Sequence, residues 1–433
     1  MSLCRLPSEI FLCIGEWIPG NELINFACVN RHVYSVLERS INSMVRLQEP
    51  ESTCIFLQAV LDRPVVGERV RSLFVDYVPD HCEDDLADLE HYIPRFAKAA
   101  REDRKWPESL VEAFEGCGGQ AAVLLLLHCL PKIQRLRMQG RFDAELFRPF
   151  VKPLTTKNQD PDNSPEGLLG SLQQFTAFHS NEARGGTNLR QYVPLFFLPS
   201  LTKIQLYMTK TKKWEKKFPG SSAPVGESDT VMSDLFGKSP VTEIELSNSV
   251  VNGKRLGEII RLPRQLKKLT YRMSNSSVSD EAEIIPIGRA LLHVQDTLEE
   301  LDIRIVDCAF GSFGWDKNVG SLRSFSVLRE LVILSYSLPT KNIGPLLPKS
   351  LKKITFIADR FDNDIYYYTL QIEELLRQKS IYVPDLETVC LGPGNVGVAK
   401  IQKTADEVGV LAEEYQSRIV QGRGEYLYPG PIF

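Results

Sequence analysis

The sequence predicts an α/β chain: a small three-helix segment at the amino end, an irregular solenoid of short parallel strands with helical or irregular returns, and a capping helix at the carboxy end. Three observations carry that expectation. Apolar residues recur at helical spacing over residues 6–41, one apolar triplet recurs ten times between Val70 and Leu391, and a last amphipathic stripe begins near Ala399. In the opening stretch Leu6-Pro7-Ser8-Glu9-Ile10-Phe11-Leu12-Cys13-Ile14-Gly15-Glu16-Trp17-Ile18, residues 10, 14 and 17 or 18 share one helical face, and Pro7 suits a first turn. Pro19 and Gly20 stop that helix. Asn21 then suits the N-cap of a second one carrying Leu23, Phe26 and Val29, and a third runs from Arg31 through Val33, Tyr34, Val36 and Leu37 to Ile41.

Ile10, Phe11, Leu12, Ile14, Trp17 and Ile18 cover more than one narrow stripe. A segment below about 40 residues seldom supplies its own core, so these helices are expected to need cover from the rest of the chain or from a partner. The order Leu-Pro-x-Glu-Ile, a break, then Glu22-Leu23-Ile24-Asn25-Phe26-Ala27-Cys28-Val29-Asn30-Arg31 and Tyr34 resembles the F-box, in the short form at the start of many fungal F-box proteins. The resemblance implies docking on a Skp adaptor, which links to a cullin scaffold, through Leu6, Pro7, Ile10, Ile14, Leu23 and Val29. Each such side chain buried is worth about 1.5–3 kcal/mol before association entropy is deducted. This chain departs from the family at Val33, where an aromatic usually precedes the position of Tyr34.

The repeated triplet is an apolar residue, two variable residues, an apolar residue, one variable residue and a third apolar residue. Its copies are Val70-Leu73-Val75, Ile133-Leu136-Met138, the weaker Leu172-Phe175-Ala177, Leu201-Ile204-Leu206, Val241-Ile244-Leu246, Leu266-Leu269-Tyr271, Leu298-Leu301-Ile303, Leu328-Leu331-Ile333, Leu351-Ile354-Phe356 and one within Val383 to Leu391. The last two residues of a triplet lie two apart and face one side of a strand, while the first anchors the preceding turn. Returns such as Leu256 to Arg261 and Ile284 to His293 fill the gaps, so each unit buries its apolar side by stacking on the next. The pattern resembles leucine-rich repeats, although the usual Asn or Cys beyond the strand is replaced at Arg141, Thr209, Ser249 and Tyr336. Between the first two copies the sequence reads as two helices, Glu83 to Arg104 and Pro107 to Leu130. Val151 to Gly167 and Thr209 to Thr230 read as exposed loop insertions, the second carrying the run Lys210 to Lys217.

Strand geometry also picks out the side chains opposite the core. The residue before the second apolar position gives Arg135, Lys203, Glu243, Lys268, Glu300, Glu330 and Lys353, a ladder read as self-neutralising cross-strand pairs, with an anion site as the alternative. The residue after the third gives Tyr207, Arg272, Arg304, Leu334 and Ile357, which suit either a protein-binding patch or a surface covered by another part of the chain.

The remaining observations exclude other functions. A net charge of -4 with 24% charged residues gives no field drawing the chain to nucleic acid or anionic membrane, and the run Ala121 to Leu130 is too short to span a bilayer. Nine scattered cysteines read as reduced thiols, with no metal-ligand spacing, so no metal is expected and the compartment is cytoplasmic or nuclear. Gly392-Pro393-Gly394-Asn395-Val396-Gly397 has a dinucleotide-binding spacing, but a helix from Ala399 to Gln421 leaves no room for a second strand, so no cofactor is expected. No nucleophile, acid–base or nucleotide motif appears elsewhere. The domains expected are therefore an F-box at 1–45, a leucine-rich-repeat solenoid at 46–398 and a capping helix with tail at 399–433. The implied role is a non-enzymatic substrate-recognition subunit of a Skp-cullin-F-box ubiquitin ligase holding an unidentified protein substrate. The alternative is a protein-binding scaffold without a ligase role.

Overall fold

A computed structural model of the chain describes residues 7–8, 10–11, 14, 18, 25–41, 43–76, 92–102, 118–139, 169–178, 187–210, 233–249, 251, 253–273, 287–304, 319–334, 342–357, 365–392 and 398–414. The chain divides into two compact units. One is Met1–Ser180 with Leu198–Leu201 and Val420–Phe433, and the other is Asn181–Phe197 with Thr202–Ile419.

The triplets dictate the strands of both. In the first unit α1 (Arg31–Ile41) leads into β1 (Met44–Leu47), α2 (Pro50–Asp62), α3 (Pro64–Arg69), β2 (Ser72–Val75), α4 (Ile93–Glu102), α5 (Gly118–His128), β3 (Arg135–Gln139) and β4 (Gln174–Phe178). Strands β1 to β4 pair parallel in sequence order. In the second unit β5 (Thr187–Asn188) pairs parallel with β7 (Thr209–Lys210), on either side of β6 (Lys203–Tyr207) in sequence. A parallel ladder then runs from β6 through β8 (Glu243–Ser249), β9 (Lys268–Met273), β10 (Glu300–Arg304), β11 (Glu330–Leu334), β12 (Lys353–Ile357) and β13 (Thr388–Leu391) to β14 (Leu411–Glu414). Returns in this unit include α6 (Gly253–Ile260), α7 (Ile287–Leu291), α8 (Ile365–Arg377), α9 (Lys379–Tyr382) and α10 (Val398–Glu407).

The second and third residues of all ten triplets lie on strands, the first just ahead of each strand, and every one of these side chains is at most 2% exposed. The first residue of a triplet closes the entry turn with its own N–H. Val70 donates to the Gly67 carbonyl, Leu172 to Leu169, Leu201 to Leu198, Leu351 to Pro348 and Leu386 to Val383, at 3.0–3.3 Å. The carbonyl of the next residue then accepts two N–H groups from the following repeat. Lys267 O takes Glu299 and Glu300, Glu299 O takes Arg329 and Glu330, and Arg329 O takes Lys352 and Lys353. These paired bonds fix the register, so the triplets stack without slipping.

Ladders replace the missing Asn position at two repeats. Met208, just after β6, and Asn248, near the end of β8, have φ of 58° and 50°, which turns the chain so that Thr209 and Ser249 are buried. There the Thr209 hydroxyl and N–H both donate to Ser249 Oγ, at 2.9 and 3.2 Å, and Ser249 passes its own proton to the Ser247 carbonyl at 3.0 Å. The expected loop insertion from Thr209 therefore begins as a strand, with Thr209 buried. Residues 211–232, with Lys212, Lys213, Lys216 and Lys217, and residues 151–168 lie outside the described residues.

Tyr271 fills a position that the other repeats give to side chains without a polar group, and its hydroxyl bonds explain why it can. The O–H donates to Val251 O at 2.9 Å and accepts from Val251 N at 3.3 Å. Burial pushes the phenol up to about 12, the bond to Val251 working the other way. The unfolded phenol ionises near pH 10, so the stabilising contribution is whole below that and lost as pH rises through about 12. Tyr271→Phe should lower stability at neutral pH by about 1–3 kcal/mol, because Val251 is left unpaired. In urea titrations the gap between the two proteins should narrow as pH rises from 10. Identical urea midpoints at neutral pH would contradict this.

Several boundaries differ from the sequence reading. Of the two helices expected after β2, the described parts are Ile93–Glu102 and Gly118–His128, and Trp106-Pro107 lies outside the described residues. Ala122 to Leu127 are all buried, so the most apolar run of the chain is a core helix. No described helix is long and apolar enough to cross a membrane.

The carboxy-terminal helix is shorter than Ala399 to Gln421. It ends at Glu407, because Gly409 at φ 68° reverses the chain and Val410 N–H returns to the Ala405 carbonyl at 2.9 Å. A last parallel strand, β14, follows and pairs with β13. Helix α10 packs on α8, where Glu373, 2% exposed, is neutralised by Lys400 at 2.9 Å and Arg377 at 3.7 Å.

Candidate functional site

At the amino end, positions 8, 10, 11 and 14 and 25–27 are helical. Asn30 caps α1, its Oδ1 accepting the Val33 N–H at 2.8 Å. Phe11, Ala27, Val33 and Leu37 form a buried cluster with Ile18, Phe26 and Val36 packed on it. The Phe11 ring lies 6.4 Å from Phe26 and meets His32 edge-on at 5.8 Å. The segment thus covers part of its own apolar surplus, which the sequence reading did not expect. Val33 belongs to this core, so the departure from the aromatic at that position alters packing and not the outer surface.

Other described apolar residues face outward. Ile10 is 43% exposed, Val29 60% and Tyr34 48%, while Pro7 is exposed and Ile14 half-buried. Leu6 and Leu23 lie outside the described residues. Tyr34 joins the candidate surface on its exposure, which spacing alone did not disclose.

On the strand faces opposite the core, two cross-strand pairs of the expected charge ladder form. Lys203 meets Glu243 at 3.6 Å, Lys268 pairs with Glu300, and flanking pairs Lys267–Glu299 and Lys352–Glu387 stand at 3.2 and 2.8 Å. Exposed pairs of this kind contribute about 0–1 kcal/mol each. Burial works against the charge of Lys268, yet its hydrogen bond to Glu300 and the surrounding glutamates hold the ammonium above its ordinary value.

Of the row Tyr207, Arg272, Arg304, Leu334 and Ile357, the first three share carboxylate partners, while Leu334 and Ile357 are register partners that are buried. Tyr207 Oη donates to Glu245 at 3.1 Å, beside Gln205 Nε2 at 2.7 Å and Ser247 Oγ at 2.9 Å on the same carboxylate. Arg272 and Arg304, opposite each other in register, both grip Asp302, each at 2.7 Å, and Arg272 also reaches Glu245 at 4.0 Å. Burial opposes the charge of Arg272, but Asp302 and then Glu245 keep its guanidinium above its ordinary value. Leu334 and Ile357 are each only 7% exposed, so they are not part of an open binding patch. Apolar side chains in this row are covered, whereas charged ones stay half-open.

Sequence reasoning missed the row between these two, although it is the same ladder two residues on. It supplies Glu245 and Asp302 in the second unit, and Arg46, Phe74 and Arg137 in the first. Asp302 holds two like charges that would otherwise oppose each other across the sheet. Asp302→Ala should therefore destabilise the second unit by about 1–3 kcal/mol, and Arg272→Leu added to it should recover part of the loss. A thermal scan in which Asp302→Ala melts with the wild type would refute the pairing.

The strand β13, the glycines from 392 and helix α10 lie in the order of a dinucleotide motif, and β14 supplies the second strand that the sequence reading ruled out. The strand order β12-β13-β14 nevertheless runs one way, without the reversal that opens a cofactor crevice. Residues 393–397 lie outside the described residues. Among the described residues no group of three or more His, Cys, Asp or Glu side chains is placed to hold a metal ion. No protein-family model and no curated protein sequence matches this chain.

Proposed function

We propose that this chain is the substrate-recognition subunit of a Skp-cullin-F-box ubiquitin ligase: an F-box at the amino end docks the adaptor, and a leucine-rich-repeat ladder holds a protein substrate. The observation that carries the reading is the outward surface of Ile10, Val29 and Tyr34 on a helical segment with its own small core. Three large apolar side chains in water on so small an element favour a partner. The stacked parallel strands with one register suit leucine-rich repeats, and an open array of this kind offers a long strand face for a protein. On this reading the chain has no reacting group of its own and works by holding its substrate near a recruited ubiquitin-carrying enzyme. It needs no metal or cofactor and acts in the cytoplasm or nucleus.

The test is co-purification of the full chain with a Skp-type adaptor and cullin, followed by measuring which protein accumulates when the chain is deleted. Adaptor in the purified complex and a stabilised client support the reading. A client captured without any adaptor would instead favour a scaffold with no ligase role.

A further inference from the structure

The first unit carries a charge imbalance on its outer strand face that the second does not. Strands β1 to β4 hold three arginines, Arg46, Arg135 and Arg137, and no acidic residue. The carboxylate set against them is Asp76, just past β2, which meets Arg46 at 2.5 Å and Arg137 at 3.7 Å. Arg137 Nε and Asp76 Oδ1 are both buried, and neither makes a hydrogen bond. The Arg137 Cζ lies over the Phe178 ring, 4.3 Å from its centroid, and Arg135 is steered by its Nε bond to Ser72 Oγ at 2.9 Å. Half-buried Phe74 lies between Arg46 and Arg137 in register. All this stands in a chain whose net charge is -4.

We propose that this arginine and phenylalanine face docks an acidic peptide segment of the protein that the chain holds. Charge complementarity argues for that occupant, because among the described residues Asp76 is the one carboxylate set against Arg46 and Arg137. Guanidiniums already stacked or hydrogen-bonded lose little freedom on meeting a carboxylate, and an aromatic among arginines is the composition of binding hot spots. The second unit's face, where lysines and arginines meet glutamates and Asp302 strand by strand, has no such surplus. The inference rests on the reading of the ladder as a substrate-holding surface, and not on adaptor docking at the amino end.

The experiment is fluorescence anisotropy of the full chain with a labelled ten-residue peptide of alternating Glu and Gly, its Gln counterpart and a labelled single-stranded oligonucleotide. The Glu peptide should bind, weaken as salt rises, and lose about tenfold in affinity with Arg46→Gln or Arg137→Gln, whereas Lys203→Gln in the second unit should change nothing. Arg46 is a surface side chain, so its variant keeps the test open should Arg137→Gln fail to fold. Equal binding of the Gln peptide, tighter binding of the oligonucleotide, or indifference to both arginines would overturn the proposal. Binding that appears only after Glu83, Asp84, Asp85, Asp88 and Glu90 become amides would assign the face to the chain's own acidic run and overturn it too. Adaptor co-elution measured on the same variants reads the ligase assignment separately.

Discussion

Gly288→Ala should cost about 3 kcal/mol or more, although alanine ordinarily strengthens a helix by about 1 kcal/mol over glycine. A Cβ on Gly288 in α7 would sit 2.1 Å from the Val319 carbonyl oxygen and 2.7 Å from its carbon. Neither is the end of a flexible side chain, so backbone must move. Gly67 in α3 is in the same position in the first unit, with Cys129 O at 2.3 Å and Val60 Cγ1 at 2.9 Å. Gly257 is the control, since its added Cβ would meet only the Ala290 Cβ at 3.3 Å, a contact that small shifts relieve. Urea unfolding should rank Gly288→Ala and Gly67→Ala far below wild type and Gly257→Ala close to it. A neutral Gly288→Ala would mean that the return helices are not packed against the next turn as described.

The second large effect concerns the outward residues of the amino-terminal helices. Ile10→Glu with Val29→Glu should abolish adaptor binding, because each buried aliphatic contributes about 1.5–3 kcal/mol and a charge in its place must be desolvated. Folding should be spared, since both side chains already face water and the cluster of Phe11, Ala27, Val33 and Leu37 is untouched. Phe11→Ala is the contrasting change. It should melt the local helices by removing a fully buried ring, and so lose adaptor by unfolding. Circular dichroism separates the two cases.

The strands were legible in the sequence wherever three apolar residues marked them, because burial on one side leaves a period-two trace that survives irregular spacing. Four strands were missed: β5 and β7, of two residues each, are too short to carry a triplet, and β1 and β14 show where the trace fails. The sequence has Asn42 three residues before Val45, where a triplet would have its first apolar residue, and at β14 Gly409 and Glu414 replace the first and third apolar positions. Ladder ends have a neighbour on one side only, so their triplets need not be apolar. The overlong carboxy-terminal helix came from a stripe, Ile401, Ala405, Val408 and Ala412, that keeps helical spacing past the Gly409 turn; only the glycine's left-handed backbone ends it. The charge ladder before the second apolar position followed directly from strand pairing. The clusters around Glu245, Asp302 and Asp76 did not, since they depend on which long side chains lean towards which neighbour. The burial of Leu334 and Ile357 likewise lay beyond strand periodicity, which assigns a face and does not say what covers it.

The most direct test of the proposed docking is hydrogen–deuterium exchange on the full chain with and without a purified Skp-type adaptor. Peptides containing Ile10, Val29 and Tyr34 should slow their exchange on addition of adaptor, while those from β8 to β12 stay unchanged. Unaltered exchange at the amino end at saturating adaptor, or protection confined to the strand ladder, would contradict it.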